Sequence, residues 1–316
     1  MKISSDSVSP NLSKDKFRNL CQKEITLPLF LRDWWLDTVC GVDGWDVAIA
    51  TRDNQIVGAL PYSIKTDDEK VTLSTPQETK FLGPWVKDTG ARYAKALTKE
   101  KKILEELITD LPHFHNYSQN WHHKATNWLP FFWNNFKQTT FYTYIIDDLT
   151  NIDFLWNETL ENVKTDIRKA KTKFELTVSD MHSIKDFIRL NNLTFERQGK
   201  KPPYEEDFVL LINEECIKRN CGKCFFAEDK EGNLHSAVYI VWDENSAYYL
   251  WGGSDPQFRN SGANSYCLWE AIKFSASVTK AFDFEGSMIK HIEKFFRAFG
   301  GKLTPYFHVY KNNTHS

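Results

Sequence analysis

The sequence predicts an α+β protein: mixed, largely antiparallel sheets flanked by helices. Three observations predict it. Residues 45–64 and 224–242 each read as strand, polar turn, strand. Residues 94–111, 184–197 and 205–219 repeat apolar side chains at helical spacing. Residues 248–275 run as a strand, a Gly/Ser/Asp/Pro turn and a helix.

Taken in order, residues 1–24 read as a flexible lead-in, although Phe17, Leu20 and Cys21 are spaced to start a helix. Residues 30–37 read as a short helix. Strands at 45–50 and 56–64 flank the turn Arg52-Asp53-Asn54, and Pro61, late in the second, points to a bulge or a sheet edge. Residues 71–74 and 79–82 read as short strands. The helix at 94–111 aligns Leu97, Leu104, Leu107 and Ile108 and keeps Lys and Glu outside. A strand follows at 141–146.

The second half begins near Asn151. It reads as a helix over 154–173, a strand at 174–178, and helices at 184–197 and 205–219 joined by the loop Gln198 to Pro203. Strands at 224–227 and 236–242 surround Lys230-Glu231-Gly232-Asn233. Strand 248–251 is ended by Gly252, Gly253, Asp255 and Pro256. From Ala263 a helix places Leu268, Ala271 and Ile272 on one face, extended by Ser275. Residues 281–285 alternate, with Phe282 and Phe284 on one face and Asp283 and Glu285 on the other. A last helix carries Ile292, Phe295, Phe296 and Phe299, with Arg297 beside them.

The turn from Arg259 to Ala263 carries the main functional expectation. A helix start offers unpaired N–H groups and a positive dipole end, which suits a phosphate. Ser261, Gly262 and Ala263 let the backbone come close to a ligand. An ordinary strand-to-helix connection is the plain alternative. Asp283 and Glu285 on one strand face are candidate proton acceptors, or structural carboxylates. Arg297 is a candidate oxyanion or phosphate contact, or the partner of Glu293 four residues before it.

Other clusters carry less. Arg168, Lys169, Lys171 and Lys173 form a basic helix end that the dipole explains. Lys200, Lys201 and Tyr204 lie in a loop that either covers an acceptor or merely connects. His113, His115, His122 and His123 lack converging Cys or carboxylate partners, so no metal is expected and an aromatic-rich loop facing an acceptor is preferred. Cys221 and Cys224 form a single pair with no second pair for zinc. Tyr306 and Tyr310 read as core tyrosines, or as acids for a departing thiolate.

Arg259-Asn260-Ser261-Gly262-Ala263 resembles the Arg/Gln-x-x-Gly-x-Gly/Ala signature of the GNAT acyltransferases; Asn264 stands at its last place. The wider set is similar to the FemAB-like branch of that superfamily. It comprises Gly253-Ser-Asp-Pro through Ala263, Phe282-Asp-Phe-Glu-Gly-Ser, Phe295-Phe-Arg-Ala-Phe-Gly-Gly, Asn127 to Trp133 and Ile167 to Lys171. The resemblance implies two tandem GNAT-like domains: 25–150 on the acceptor side without a donor loop, and 151–316 with the donor site. It implies an N-acyltransferase using acetyl-coenzyme A or another acyl-coenzyme A as co-substrate. Trp251, Gly252, Arg259, Asn260, Ser261, Gly262 and Ala263 would hold the donor, and Glu285, Asp283 and Arg297 would assist. The acceptor would be a small molecule, an amino sugar or a peptide of envelope biosynthesis. Aminoacyl-tRNA is the alternative donor, disfavoured because Phe296 stands at the branch's lysine place. A non-catalytic module on the same fold is the third reading.

Composition sets limits on these readings. A chain of 316 residues is long for one core and comfortable for two. The net charge of −2 argues against a large nucleic-acid footprint. With 11 Trp and 23 Phe the chain has aromatic surplus for large cores or clefts. No apolar run is long enough to span a membrane. Met1 to Lys16 lacks the apolar core of an export signal, so a cytoplasmic location and reduced thiols for the 6 cysteines are expected.

Overall fold

The computed structural model describes residues 12–286 and 288–313. The chain divides into two compact units: residues up to Thr140 with those from Tyr306 onward, and Phe141–Pro305.

Unit 1 opens with α1 (Leu12–Cys21), α2 (Asp33–Cys40), β1 (Trp45–Arg52), β2 (Gln55–Asp67), β3 (Lys70–Ser74) and β4 (Trp85–Val86). It continues with α3 (Tyr93–Asp110), β5 (Asn116–Asn120), α4 (Leu129–Trp133) and the start of β6 (Lys137–Ile146). α1 lies within the expected lead-in. Its Phe17 and Cys21 are buried, and the Phe17 ring meets Trp45 edge-on at 6.2 Å, so a short amphipathic stretch gains a partner. The rest of the lead-in, residues 1–11, lies outside the described residues.

The β1/β2 hairpin turns at Asp53 and Asn54, both in the left-handed conformation that Asp and Asn tolerate. Its register shift falls at Ala50/Thr51, so Pro61 marks no bulge. Pro61 sits where β2 exchanges β4, paired at Gly58 and Ala59, for β3, paired from Ser63. The missing N–H therefore falls in a gap in the ladder. Residues 79–82 form no strand. Only Leu82 makes a bridge, to Trp121. β3 and β5 run parallel, and β5 pairs antiparallel with the chain's last strand, β12 (Lys302–Asn312), over His308–Asn312. Ile103, Leu104 and Leu107 of α3 pack on Ala48, Leu60, Leu73, Tyr117 and Val309 to form the core.

Unit 2 adds α5 (Ile152–Glu158), α6 (Glu161–Thr172), β7 (Thr177–Ser179), α7 (Ile184–Glu196), α8 (Glu206–Lys218), β8 (Gly222–Glu228) and β9 (Leu234–Trp242). β10 (Ala247–Ser254), α9 (Ala263–Ser275), β11 (Phe282–Asp283) and α10 (Lys290–Arg297) follow. The single helix expected over 154–173 is two. The chain turns extended at Thr159 and Leu160, and the Leu160 N–H donates to Ala298 O at 2.8 Å. A long-range hydrogen bond thus interrupts a periodic sequence. The strand order is β6-β11-β10-β9-β8-β7. Every neighbouring pair from β7 to β10 is antiparallel, whereas β10 and β11 are parallel. β9 is buried throughout, with helices on both faces of the sheet. The fold class is the mixed α+β arrangement predicted. Tyr306 and Tyr310 lie on β12 and count with unit 1.

Candidate active site

β10 pairs with β9 along its length, but with β11 only at Ala247–Phe282 and Tyr248–Asp283. From Tyr249 to Ser254 that second edge has no strand partner among the described residues. α7 takes its place. Asn191 Nδ2 donates to Gly252 O at 2.8 Å, and the Ser254 N–H donates to Thr194 Oγ1 at 2.9 Å. Gly252 and Gly253 were expected to end the strand; they lie inside it. A Cβ on Gly253 would stand 2.5 Å from Asn191 N, and one on Gly252 1.9 Å from the Tyr249 hydroxyl. Gly253 permits the close approach of α7, and Gly252 leaves room for the Tyr249 ring.

After β10, Asp255 accepts the Gln257 N–H at 2.8 Å and starts a single 3₁₀ turn, Pro256–Phe258. The Phe258 ring lies flat on His235, 3.9 Å between centroids. Gly262 follows as the N-cap of α9 with φ of +80°, and a Cβ there would stand 2.2 Å from Asp166 O of α6. The helix therefore starts against α6, in a conformation that glycine supplies.

The amides of the turn divide. The Ser261 N–H donates to Phe258 O at 2.9 Å and the Ala263 N–H to Ser261 Oγ at 3.3 Å, and both residues are buried. Those of Gly262, Asn264 and Ser265 donate to no protein group among the described residues. Gly262 and Asn264 are half-buried and Ser265 is buried, while Arg259 and Asn260 are exposed. Arg259 makes no ion pair among the described residues. The helix thus begins with three uncommitted donors, the positive dipole end and an exposed guanidinium.

The carboxylates are not equivalent. Asp283 is 3 % exposed, and its Oδ1 accepts the Thr143 hydroxyl at 2.5 Å and the Glu285 N–H at 2.8 Å. The second bond closes a turn that holds Glu285 at φ +60° and Gly286 at +56°. Regular strand pairing stops at Asp283, so the alternation expected through Glu285 breaks there; Glu285 is half-buried. Arg297 Nε meets Glu293 Oε1 at 2.9 Å, the i,i+4 pair. The same oxygen accepts the Tyr144 hydroxyl at 2.5 Å. That hydrogen bond, reinforced by Arg297, holds Glu293 below the usual carboxylate range. Burial, and then the hydrogen bond to Glu293 and its charge, push Tyr144 up to about 12.

Trp251 is buried in an aromatic cluster, 5.5 Å from Tyr239 and 5.8 Å from Tyr204. Phe296 is buried against Tyr249 at 5.2 Å and Phe284 at 5.6 Å. Arg168 pairs with Glu161 and Lys169 with Asp166, both within α6. Lys200 and Lys201 are exposed, and the Tyr204 hydroxyl donates to Asn191 Oδ1 at 2.9 Å. The stretch 127–133, quoted for its resemblance, runs into α4 of unit 1: Phe131 enters the core, and Leu129, Phe132 and Trp133 are exposed. Among the described residues no three His, Cys, Asp or Glu side chains converge on a metal position.

Asn191, Thr194 and the pair His235–Asp229 were not foreseen. Asn191 was legible as a polar residue one turn after Phe187 on an apolar helix face. His235 is 2 % exposed and meets Asp229 Oδ2 at 3.1 Å. It gave no signal, because strand β9 has no polar face to contrast with it.

Residues 157–286 match the profile of a family described as Acetyltransferase (GNAT) domain, a span that contains β10, the turn and α9. No curated protein matches the chain. Among solved structures, the crystal structure of FemX superposes with a TM-score of 0.68 at 14% identity, covering 94% of this chain and 96% of that one. L-PGS from Bacillus licheniformis gives 0.53 at 10%, covering 96% and 92%. A tandem GNAT protein from the clavulanic acid biosynthesis pathway gives 0.51 at 9%, covering 96% of each. Residues 157–286 thus match the GNAT acetyltransferase domain family, and the chain as a whole shares its fold with FemX.

Proposed function

We propose that the protein is an N-acyltransferase moving an acyl group, acetyl foremost, from acyl-coenzyme A to an amine of a small molecule, amino sugar or peptide. The observation that carries this reading is the start of α9. There the uncommitted amides of Gly262, Asn264 and Ser265 and the exposed Arg259 and Asn260 form a seat for the donor's diphosphate. Ser261 and Ala263 shape that seat by their internal hydrogen bonds rather than by donating to the ligand. In this reading the acyl arm would lie beside β10 at Tyr249 to Trp251, up to Gly252, where the hydrogen bonds from α7 to Gly252 and Ser254 begin.

In this reading the amine attacks the acyl carbon directly. The tetrahedral oxyanion collapses with cleavage of the C–S bond, and the thiolate leaves and takes up a proton. Catalysis is mainly positioning. Glu285 is better suited than Asp283 to accept the amine proton, because Asp283 Oδ1 already holds two hydrogen bonds. Arg297 adds positive charge although paired with Glu293. The division of labour follows the sequence reading, with the donor in 151–316 and the acceptor side in 25–150. The reaction would take place in the cytoplasm on acceptors of envelope biosynthesis.

Calorimetry with acetyl-coenzyme A on wild type and Arg259→Glu tests the donor seat. The charge reversal is expected to weaken binding on the order of tenfold. Equal binding by both removes the turn from the donor site. Gly262→Trp is unsuitable, since any Cβ there collides with α6.

A second reading, transfer of an aminoacyl group from aminoacyl-tRNA, is favoured by the fold likeness to FemX. Buried Phe296 at the branch's lysine place weighs against it. Salt-sensitive tRNA binding without acetyl-coenzyme A binding would select it. Donor binding without turnover across a panel of amines would instead select a non-catalytic module.

A further inference from the structure

α4 of unit 1 is a single turn with three large apolar side chains outside. Leu129 is 42 %, Phe132 56 % and Trp133 53 % exposed. Isolated exposed hydrophobics are ordinary, but three on one five-residue helix form a patch that calls for an occupant. The patch is built rather than frayed. Pro130 and Phe131 are buried, and the Phe131 ring is held 4.7 Å from Trp121 and 5.0 Å from Phe136. Lys311 closes the helix end, its ammonium donating to Asn134 O at 3.0 Å. Phe132 and Trp133 therefore project from a fixed base.

The segment that carries the patch is basic. No Asp or Glu occurs from Leu111 to Ile146, while Lys124 and Lys137 are exposed on either side of α4. Lys101 of α3 stands 5.3 Å from the Trp133 ring, and Lys311 stands 5.0 Å from that of Phe136. The α3 carboxylates nearest Lys101 in sequence are Glu100 and Glu105. Glu106 is paired with Arg52, and Asp110 accepts the Ile49 N–H.

We propose that α4 docks the protein on an anionic lipid surface. Leu129, Phe132 and Trp133 enter the boundary between headgroups and acyl chains, and the surrounding lysines meet the lipid phosphates. This inference stands apart from the transfer reading. A bilayer fits better than the other occupants. A second copy would bring like-charged lysine rims together. A nucleic acid would leave the aliphatic Leu129 without use, and no arginine lies between Arg92 and Arg168 to fork onto its phosphates. No helix among the described residues is long and apolar enough to cross a membrane, so the contact is superficial.

Co-sedimentation of the full chain with vesicles tests the proposal, comparing phosphatidylcholine alone with an equimolar mixture of phosphatidylcholine and phosphatidylglycerol. Wild type is expected to bind the mixed vesicles, release with salt, and bind the neutral ones at least about tenfold more weakly. Phe132→Ser/Trp133→Ser is expected to lose about tenfold or more on mixed vesicles. Both side chains are exposed, so circular dichroism should match wild type. Lys124→Glu/Lys137→Glu is expected to lose the preference for anionic vesicles. Four results each overturn the proposal. These are no vesicle binding by folded wild type, equal binding by the aromatic variant, a dimer broken by that variant, and tRNA binding abolished by it without any vesicle binding.

Discussion

Gly262→Ala probes the geometry on which the donor seat rests. The residue has φ of +80°, where an L side chain costs roughly 1–2 kcal/mol. The added Cβ would also stand 2.2 Å from Asp166 O and 2.8 Å from Asp166 C, backbone atoms that cannot rotate away. Relief requires α9 and α6 to shift, an overpacking cost of about 1–3 kcal/mol. Together the change destabilises by roughly 2–5 kcal/mol, a large share of the 5–15 kcal/mol typical of a folded domain. Gly90→Ala is the matched control. Its φ is +59° and nothing lies within 4 Å of the added Cβ, so only the conformational cost of about 1 kcal/mol remains. Urea unfolding of both variants, read from the shift in midpoint at constant m, separates the two contributions. If the two variants lose equal stability, the close approach to α6 imposes no constraint and the argument for a fixed helix start is wrong.

Two further predictions concern residues that hold the site in place. Asn191→Ala removes the hydrogen bonds to the Gly252 carbonyl and from the Tyr204 hydroxyl and should cost about 1–3 kcal/mol, with faster amide exchange in 199–205; Asn191→Asp tolerated at no cost would show that the donated bond is not made. Burial opposes ionisation of Asp229, but hydrogen bonds from Asn233 and then His235 prevail and hold it at about 2 against an ordinary 3.8. Because the folded-state value is depressed, its stabilisation is present above the ordinary value and lost as pH falls toward 2. The stability gap between wild type and Asp229→Asn should therefore narrow across that window, and a gap independent of pH would contradict the pairing.

The sequence by itself determined what depends on neighbours along the chain. Alternation and turn chemistry marked the β1/β2 and β8/β9 hairpins, helical spacing marked α3, α7 and α8, and Gly262 before an apolar helix marked the start of α9. The mixed α+β class follows from those local patterns, and so does the likeness to GNAT proteins, whose signature is contiguous. Only the tertiary structure decided the rest, because it turns on partners far away in sequence. The Leu160 N–H finding Ala298 O split one expected helix into α5 and α6. α7, packed on Gly253 and hydrogen-bonded to Gly252 O, lies along β10 where the composition alone reads as a terminator. Thr143 engaged Asp283 and set it apart from Glu285, two carboxylates that alternation had made equal. β10 parts from β11 after Tyr248, and no periodicity in either strand encodes that, since a strand's pattern records which faces are buried and not which edge loses its strand partner.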